Sequence, residues 1–175
     1  LSTWRTVWPQ LPSSWHMASA TSGSSSTSSR SRLRPAPGTG RGAPAAAGAG
    51  TGVAPLIGFV RKNAKQRPLH LYWGGRSAQT DFLYESELSE YLADGRLSQL
   101  SLAFSQSQTP QYVQDRLGQD AALLSKLFAE GAQVLVCGSK AMAAGVREVL
   151  DNLLLPLGCS VEQLRTQGRY REDVY

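Results

Sequence analysis

Gly50-Thr51-Gly52-Val53-Ala54-Pro55 sets a glycine-rich turn directly before an apolar stripe at helical spacing: Val53, Leu56, Ile57 and Val60. Glycines let a backbone come close to a phosphate, and the N–H groups at the positive end of the following helix favour an anion. Pro55 suits a first helical turn, where its missing N–H costs nothing. A second chemical candidate is Cys137, which ends the apolar run Gln133-Val134-Leu135-Val136-Cys137 just before Gly138-Ser139. A thiol there stands where a cofactor would sit, although a free cysteine is most often a small buried apolar side chain. Arg76 and Arg169 are lone arginines, each as readily a surface charge as a charge beside a bound ligand. Two cysteines (Cys137, Cys159) and two histidines (His16, His70) make no disulfide framework and no metal cluster.

The elements that must position these residues alternate. The spacing predicts a helix over 53–65, then a strand at Leu69-His70-Leu71-Tyr72-Trp73, bounded by Pro68 and Gly74-Gly75. A helix near 82–93 follows, with Tyr84, Leu88, Tyr91 and Leu92 on one face and Asp81 as its candidate cap. Leu100-Ser101-Leu102-Ala103-Phe104 is the next strand. A helical region over 111–130 follows, ended by Gly131. After the strand that ends at Cys137, Met142, Val146, Val149, Leu150, Leu153 and Leu154 mark a long amphipathic helix. A short helix near 160–167 precedes the tail. Such alternation predicts an α/β fold: a doubly wound, mostly parallel sheet with helices on both faces, binding ligands at the carboxyl ends of its strands. The strand that should feed the glycine turn is poor, because Ala43-Pro44-Ala45-Ala46-Ala47 buries little area and Pro44 interrupts it. Either a weak strand forms or the sheet lacks a central member.

Composition divides the 175 residues in two. Residues 1–47 hold ten serines between Ser13 and Ser31, three of the four tryptophans (Trp4, Trp8, Trp15) and five arginines, with no acid. No helical or strand period is sustained there, so a disordered leader is expected over 1–47 and a single domain over 48–175. The leader's composition also fits an organelle transit peptide, but a leader without function is favoured. Gly38-Thr39-Gly40 repeats the turn without a helix behind it. The net charge of +5 lies in the leader: the other 13 Lys and Arg are matched by 13 Asp and Glu. The folded part is therefore no basic surface, and nucleic acid is not an expected partner. No apolar run approaches the about 20 residues of a membrane span, and the body reads as soluble and cytoplasmic.

Five landmarks then fall in one order: Gly50-Thr51-Gly52-Val53-Ala54-Pro55; Asp81-Phe82-Leu83-Tyr84; Ala103-Phe104-Ser105 with Tyr112-Val113-Gln114; Val136-Cys137-Gly138-Ser139; and Gly168-Arg169-Tyr170-Arg171-Glu172-Asp173-Val174-Tyr175. Over about 48–175 the chain resembles the nicotinamide-binding domain of the ferredoxin–NADP reductase superfamily. It is nearest the diflavin branch of sulfite reductase flavoproteins and NADPH–hemoprotein reductases. The resemblance implies an oxidoreductase part that binds NADPH, or NADH, and passes a hydride to the N5 of FAD. Gly50, Thr51 and Gly52 match the pyrophosphate turn, with Thr51 near the nicotinamide end. Cys137 matches a cysteine beside the nicotinamide, followed by Gly138 and Ser139. Asp173 matches a carboxylate near the transfer site, and Tyr175 an aromatic that covers the flavin until nicotinamide displaces it. Arg76, Ser105, Gln106, Tyr112 and Gln114 fall at the adenosine half, with Arg169 as a second expected charge near it.

Two departures qualify these expectations. The family has Ser-Arg, then a Lys, before the Tyr-Val-Gln; here Ser105 is followed by Gln106 and, later, Pro110-Gln111. Those two cations clamp the 2′-phosphate of NADPH, so a weakened NADPH preference is expected. In addition, the FAD-binding barrel with its Arg-x-Tyr-Ser-type motif does not occur in this sequence. FAD must then come from another domain or a parent flavoprotein, in which the diflavin branch also implies FMN. A heme or hemoprotein acceptor would lie downstream. The alternative is a truncated nucleotide-binding module without turnover.

Overall fold

The structure, a computed structural model, describes residues 44–175. The expected leader, including His16 and Gly38-Thr39-Gly40, therefore lies outside the described residues apart from its last four. Five parallel strands form one sheet: β1 (Ala45–Ala49), β2 (His70–Gly75), β3 (Gln99–Phe104), β4 (Val134–Gly138) and β5 (Tyr170–Val174). Their order is β3-β2-β1-β4-β5. The connecting helices are α1 (Val53–Lys62), α2 (Ala78–Asp81), α3 (Glu85–Ala93), α4 (Val113–Gln119), α5 (Ala121–Ala129), α6 (Lys140–Leu154) and α7 (Val161–Thr166).

The strand in doubt forms, and it is the central one. β1 pairs with β2 on one side and β4 on the other. Ala45, Ala46 and Ala47 are buried on both faces. An alanine strand has little of its own to bury, but in the middle of a parallel sheet both of its hydrogen-bonding edges are used, and context outweighs propensity. Pro44 does not interrupt this strand. It precedes β1, and its carbonyl accepts the N–H of His70 at 3.0 Å, a position where a missing N–H costs nothing.

Side chains alternate strictly across the sheet. Ala46, Leu71, Trp73, Leu135 and Cys137 pack with α1 and α3, whereas Ala45, Ala47, Tyr72, Val134 and Val136 pack with α4 to α7. The structure adds one element and changes two expectations. The tail after 167, to which the sequence pattern assigns no element, contains the edge strand β5 (Tyr170–Val174), in register with β4. The helical region 111–130 is two helices that meet at Asp120, whose carboxylate accepts from the Tyr72 hydroxyl (2.9 Å) and Gln99 (2.6 Å). Asp81 does not cap the helix at 85–93; it ends the short α2, and Tyr84 occupies the cap position with a left-handed backbone.

The glycine turn itself is a single 3₁₀ turn, Gly50–Gly52, between β1 and α1. Gly52 has ordinary helical dihedrals, yet a Cβ built on it would lie 2.4 Å from the Cys137 carbonyl oxygen. Gly50 is the reverse case: φ is +54° and nothing lies within 4 Å of its added Cβ. Gly52→Ala should therefore cost about 1–3 kcal/mol through a backbone clash that no rotamer relieves. Gly50→Ala should cost only about 1 kcal/mol, from left-handed strain. Thermal melts should rank Gly52→Ala below Gly50→Ala; the opposite order would show that the turn does not rest on β4.

Candidate functional site

The sheet order sets where a ligand can go. From β1 the chain winds outward through β2 and β3, then returns to place β4 on the other side of β1. The carboxyl ends of β1 and β4 thus flank the point where winding reverses, the usual ligand crevice of an open α/β sheet. Gly50-Thr51-Gly52 leaves β1 there and Gly138-Ser139 leaves β4. No side chain caps the turn or the first residues of α1, which leaves this helix end to an anion or to water. From beneath, the buried indole N–H of Trp73 donates to the Gly50 carbonyl at 3.1 Å. Trp73 is in turn stacked on Phe82, with centroids 5.1 Å apart, and edge-on to Phe104 at 6.0 Å.

A cleft of about 620 Å³ opens beside this turn, within the usual size range of a small-ligand site. Its floor is Gly50, Thr51 and Gly74; its walls include Arg76, Ser105, Tyr112, Gln114 and Ser139. Tyr112 is 54% exposed, its phenol ring offering a free face. Its own N–H is held by the Asp115 carboxylate at 2.8 Å. The Ser139 hydroxyl accepts the Met142 N–H at 3.2 Å and so starts α6 at the cleft edge. Open backbone at the turn, an exposed aromatic and hydroxyl-bearing walls together fit a dinucleotide: diphosphate at the amides, adenine against a ring, ribose against polar groups.

On the other side of Thr51 lies a second group. The Thr51 hydroxyl and the Tyr175 phenol oxygen are 3.4 Å apart. Tyr175 is held by its backbone, its N–H donating to Gly138 and its carbonyl accepting from Lys140. Cys137 and Asp173 are register partners on β4 and β5. Burial, with a smaller contribution from the Asp173 charge, pushes the Cys137 thiol up to about 11. The sulfur is therefore a neutral S–H at physiological pH, fit to pack or donate weakly and unfit as a nucleophile.

Most of the residues anticipated from sequence meet at this end of the sheet. Gly50, Thr51, Arg76, Ser105, Tyr112, Gln114 and Ser139 line the cleft. Gly52 and Gly138 support the turn, and Cys137, Asp173 and Tyr175 form the neighbouring corner. Gln106, expected among the binding residues, does not line the cleft: it is exposed, with its N–H bonded to the Arg76 carbonyl at 2.8 Å. Arg169 is at the opposite end: its guanidinium donates to the carbonyls of Ala132 and Phe128 near the start of β4, a structural role. Sequence reasoning did not assign Trp73, Asp81 or Met142 to the site. Trp73 and Met142 read as core, and Asp81 as a cap, because only the fold brings them to the turn.

A family model described as the oxidoreductase NAD-binding domain matches residues 47–148. Among curated proteins, NADPH–cytochrome P450 reductase of Homo sapiens is 39% identical over 140 residues, covering 70% of this chain and 21% of that protein. The Oryctolagus cuniculus enzyme of the same name is 40% identical over 141 residues, with the same coverage of 70% and 21%. A self-sufficient cytochrome P450 monooxygenase of Oidiodendron maius is 39% identical over 117 residues, covering 59% of this chain and 11% of that protein. The chain thus spans about a fifth of the length of the reductases it matches, 21% in each case given. It belongs to the oxidoreductase NAD-binding domain family, as the NAD(P)H-binding domain of the diflavin, NADPH–cytochrome P450 reductase-like kind.

Proposed function

We propose that this domain holds NAD(P)H for hydride transfer to an FAD carried by another domain or chain, with a hemoprotein as the downstream acceptor. The observation that carries the reading is Thr51. It lines the cleft that suits the adenosine and diphosphate, and its hydroxyl meets Tyr175 beside Cys137 and Asp173. One residue therefore joins a nucleotide groove to a corner with a neutral thiol, a carboxylate and an exposed phenol.

Each part has a task its chemistry allows. Backbone N–H groups at Gly50–Gly52 would hold the diphosphate without a lysine, using the helix end in place of a side-chain charge. The Tyr112 ring would stack the adenine, and Ser105 and Gln114 would bond ribose or base edges. When bound, the reduced nicotinamide supplies a hydride that a flavin accepts. Asp173 would stabilise the positive charge that grows on the ring as the hydride leaves. Cys137, kept neutral, would fix the ring's position without competing as a base. The Tyr175 ring, 65% exposed, would cover the flavin until nicotinamide takes its place.

Calorimetry should detect uptake of NADPH or NADH by the folded chain; an absence of binding to both would remove the proposal. Tyr175→Ala should tighten NADPH binding roughly fivefold, about 1 kcal/mol, while leaving 5′-AMP unchanged, because only the nicotinamide half competes with the phenol. Equal effects on both ligands would place Tyr175 outside the nicotinamide corner. The thiol supplies a pH test. Its folded-state value lies above the ordinary one near 9, so the stability from keeping it neutral is present below pH 9 and lost as pH rises towards 11. The melting temperature of the chain should therefore fall more steeply between pH 9 and 11 than that of Cys137→Ala; parallel curves would show that Cys137 is not buried in this way.

A further inference from the structure

Arg76 is the one basic side chain that lines the cleft and Asp81 the one acidic side chain, among the described residues. Both follow the carboxyl end of β2, the strand beside β1. In open α/β sheets a carboxylate in this region can accept a ribose 2′-hydroxyl, and an arginine can accommodate a 2′-phosphate. Here the two are tied together. One Asp81 oxygen accepts the N–H groups of Arg76 (3.0 Å) and Ser77 (3.1 Å), and the Arg76 Nε stands 3.6 Å from it. The other oxygen takes only the Thr80 hydroxyl, at 3.3 Å, which leaves it capacity to accept again. These contacts, that from Ser77 foremost, hold the Asp81 carboxyl below its usual range, so it is charged at neutral pH.

The rest of that wall adds no cation. Ser105, Gln111, Tyr112 and Gln114 are neutral. Arg116 is turned away, its guanidinium bonded to the Leu102 carbonyl at 2.8 Å and to Gln119 at 3.0 Å. A 2′-phosphate would therefore gain one arginine that is 75% exposed and already shared, while facing a fixed carboxylate. A free 2′-hydroxyl would find an acceptor.

We propose that the Arg76–Asp81 pair reads the adenosine ribose and makes the cleft nearly indifferent to a 2′-phosphate, so that it takes NADH with an affinity within tenfold of NADPH. This rests on the dinucleotide reading above and names its substrate class. A charged hydrogen bond left unopposed is worth roughly ten- to a hundredfold. The carboxylate beside Arg76 offsets most of that.

The test is calorimetry of the full chain with 5′-AMP and 2′,5′-ADP at about 0.15 M salt, where exposed charges are normally screened. The expected advantage of 2′,5′-ADP is below tenfold. Asp81→Asn keeps an acceptor for the Arg76 and Ser77 amides but loses the charge and the second oxygen that faces the 2′-hydroxyl; it should raise that advantage by roughly tenfold, by strengthening 2′,5′-ADP and weakening 5′-AMP. Arg76→Gln should weaken 2′,5′-ADP and leave 5′-AMP alone, which keeps the idea testable if Asp81→Asn melts early. An advantage of tenfold or more in the unaltered chain, or a folded Asp81→Asn with an unchanged ratio, overturns the inference while 5′-AMP binding leaves the dinucleotide reading standing. If neither nucleotide binds, and NADH and NADPH do not, both readings fall.

Discussion

The close approach of Gly52 to the last peptide of β4 is the constraint on which the site depends. A side chain at residue 52 would meet the Cys137 carbonyl at 2.4 Å, so only glycine lets the turn leaving β1 sit directly on the end of β4. That seating keeps Thr51 at the boundary of two chemistries: the cleft on one side, and the corner of Cys137, Asp173 and Tyr175 on the other. Trp73 secures the turn from β2 through its indole N–H, buried against Phe82 and Phe104. The turn is thus gripped by both neighbours of β1. Little of its geometry is left to its own residues, two of which are glycine.

Charge is arranged with the same economy. The chain from residue 48 onward has equal numbers of acidic and basic residues, and the cleft lining repeats that balance with one arginine and one aspartate. On the proposed reading, an anionic dinucleotide would be drawn by local amides and a helix end rather than by a positive field, which would make binding short-ranged. Specificity can turn on single contacts in such a site, because no large electrostatic attraction masks them. The uncharged thiol at Cys137 belongs to the same pattern: burial keeps a potential anion neutral next to Asp173.

The central strand shows how tertiary context can replace local preference. Four alanines and a glycine have weak strand propensity, yet β1 carries hydrogen bonds to both neighbours and side chains packed on both faces. Small side chains suit a strand that must accept α1 on one face and α4 and α6 on the other. The strand is held by what surrounds it. Its short residues also leave room at its end for the turn to bend back over β4.

The sequence by itself determined the α/β alternation, the parallel sheet, the helix behind the glycine turn and the order of the landmarks. These are written in local terms: apolar periods, a proline in a first turn, glycines where a chain must reverse. It also showed that Gln106 and Gln111 bring no charge to the adenosine side. Only the tertiary structure decided that Ala45–Ala49 is the central strand and that Tyr170–Val174 is an edge strand, since both depend on distant partners and neither has a strong pattern of its own. It alone moved Asp81 from a helix cap to the cleft wall, tied Trp73 to Gly50, and sent Arg169 to the far end of the sheet. The reason is common to all of them: a residue's neighbours in sequence state which element it joins, but which end of the sheet it serves is set by strand order and register, and those are properties of the whole fold.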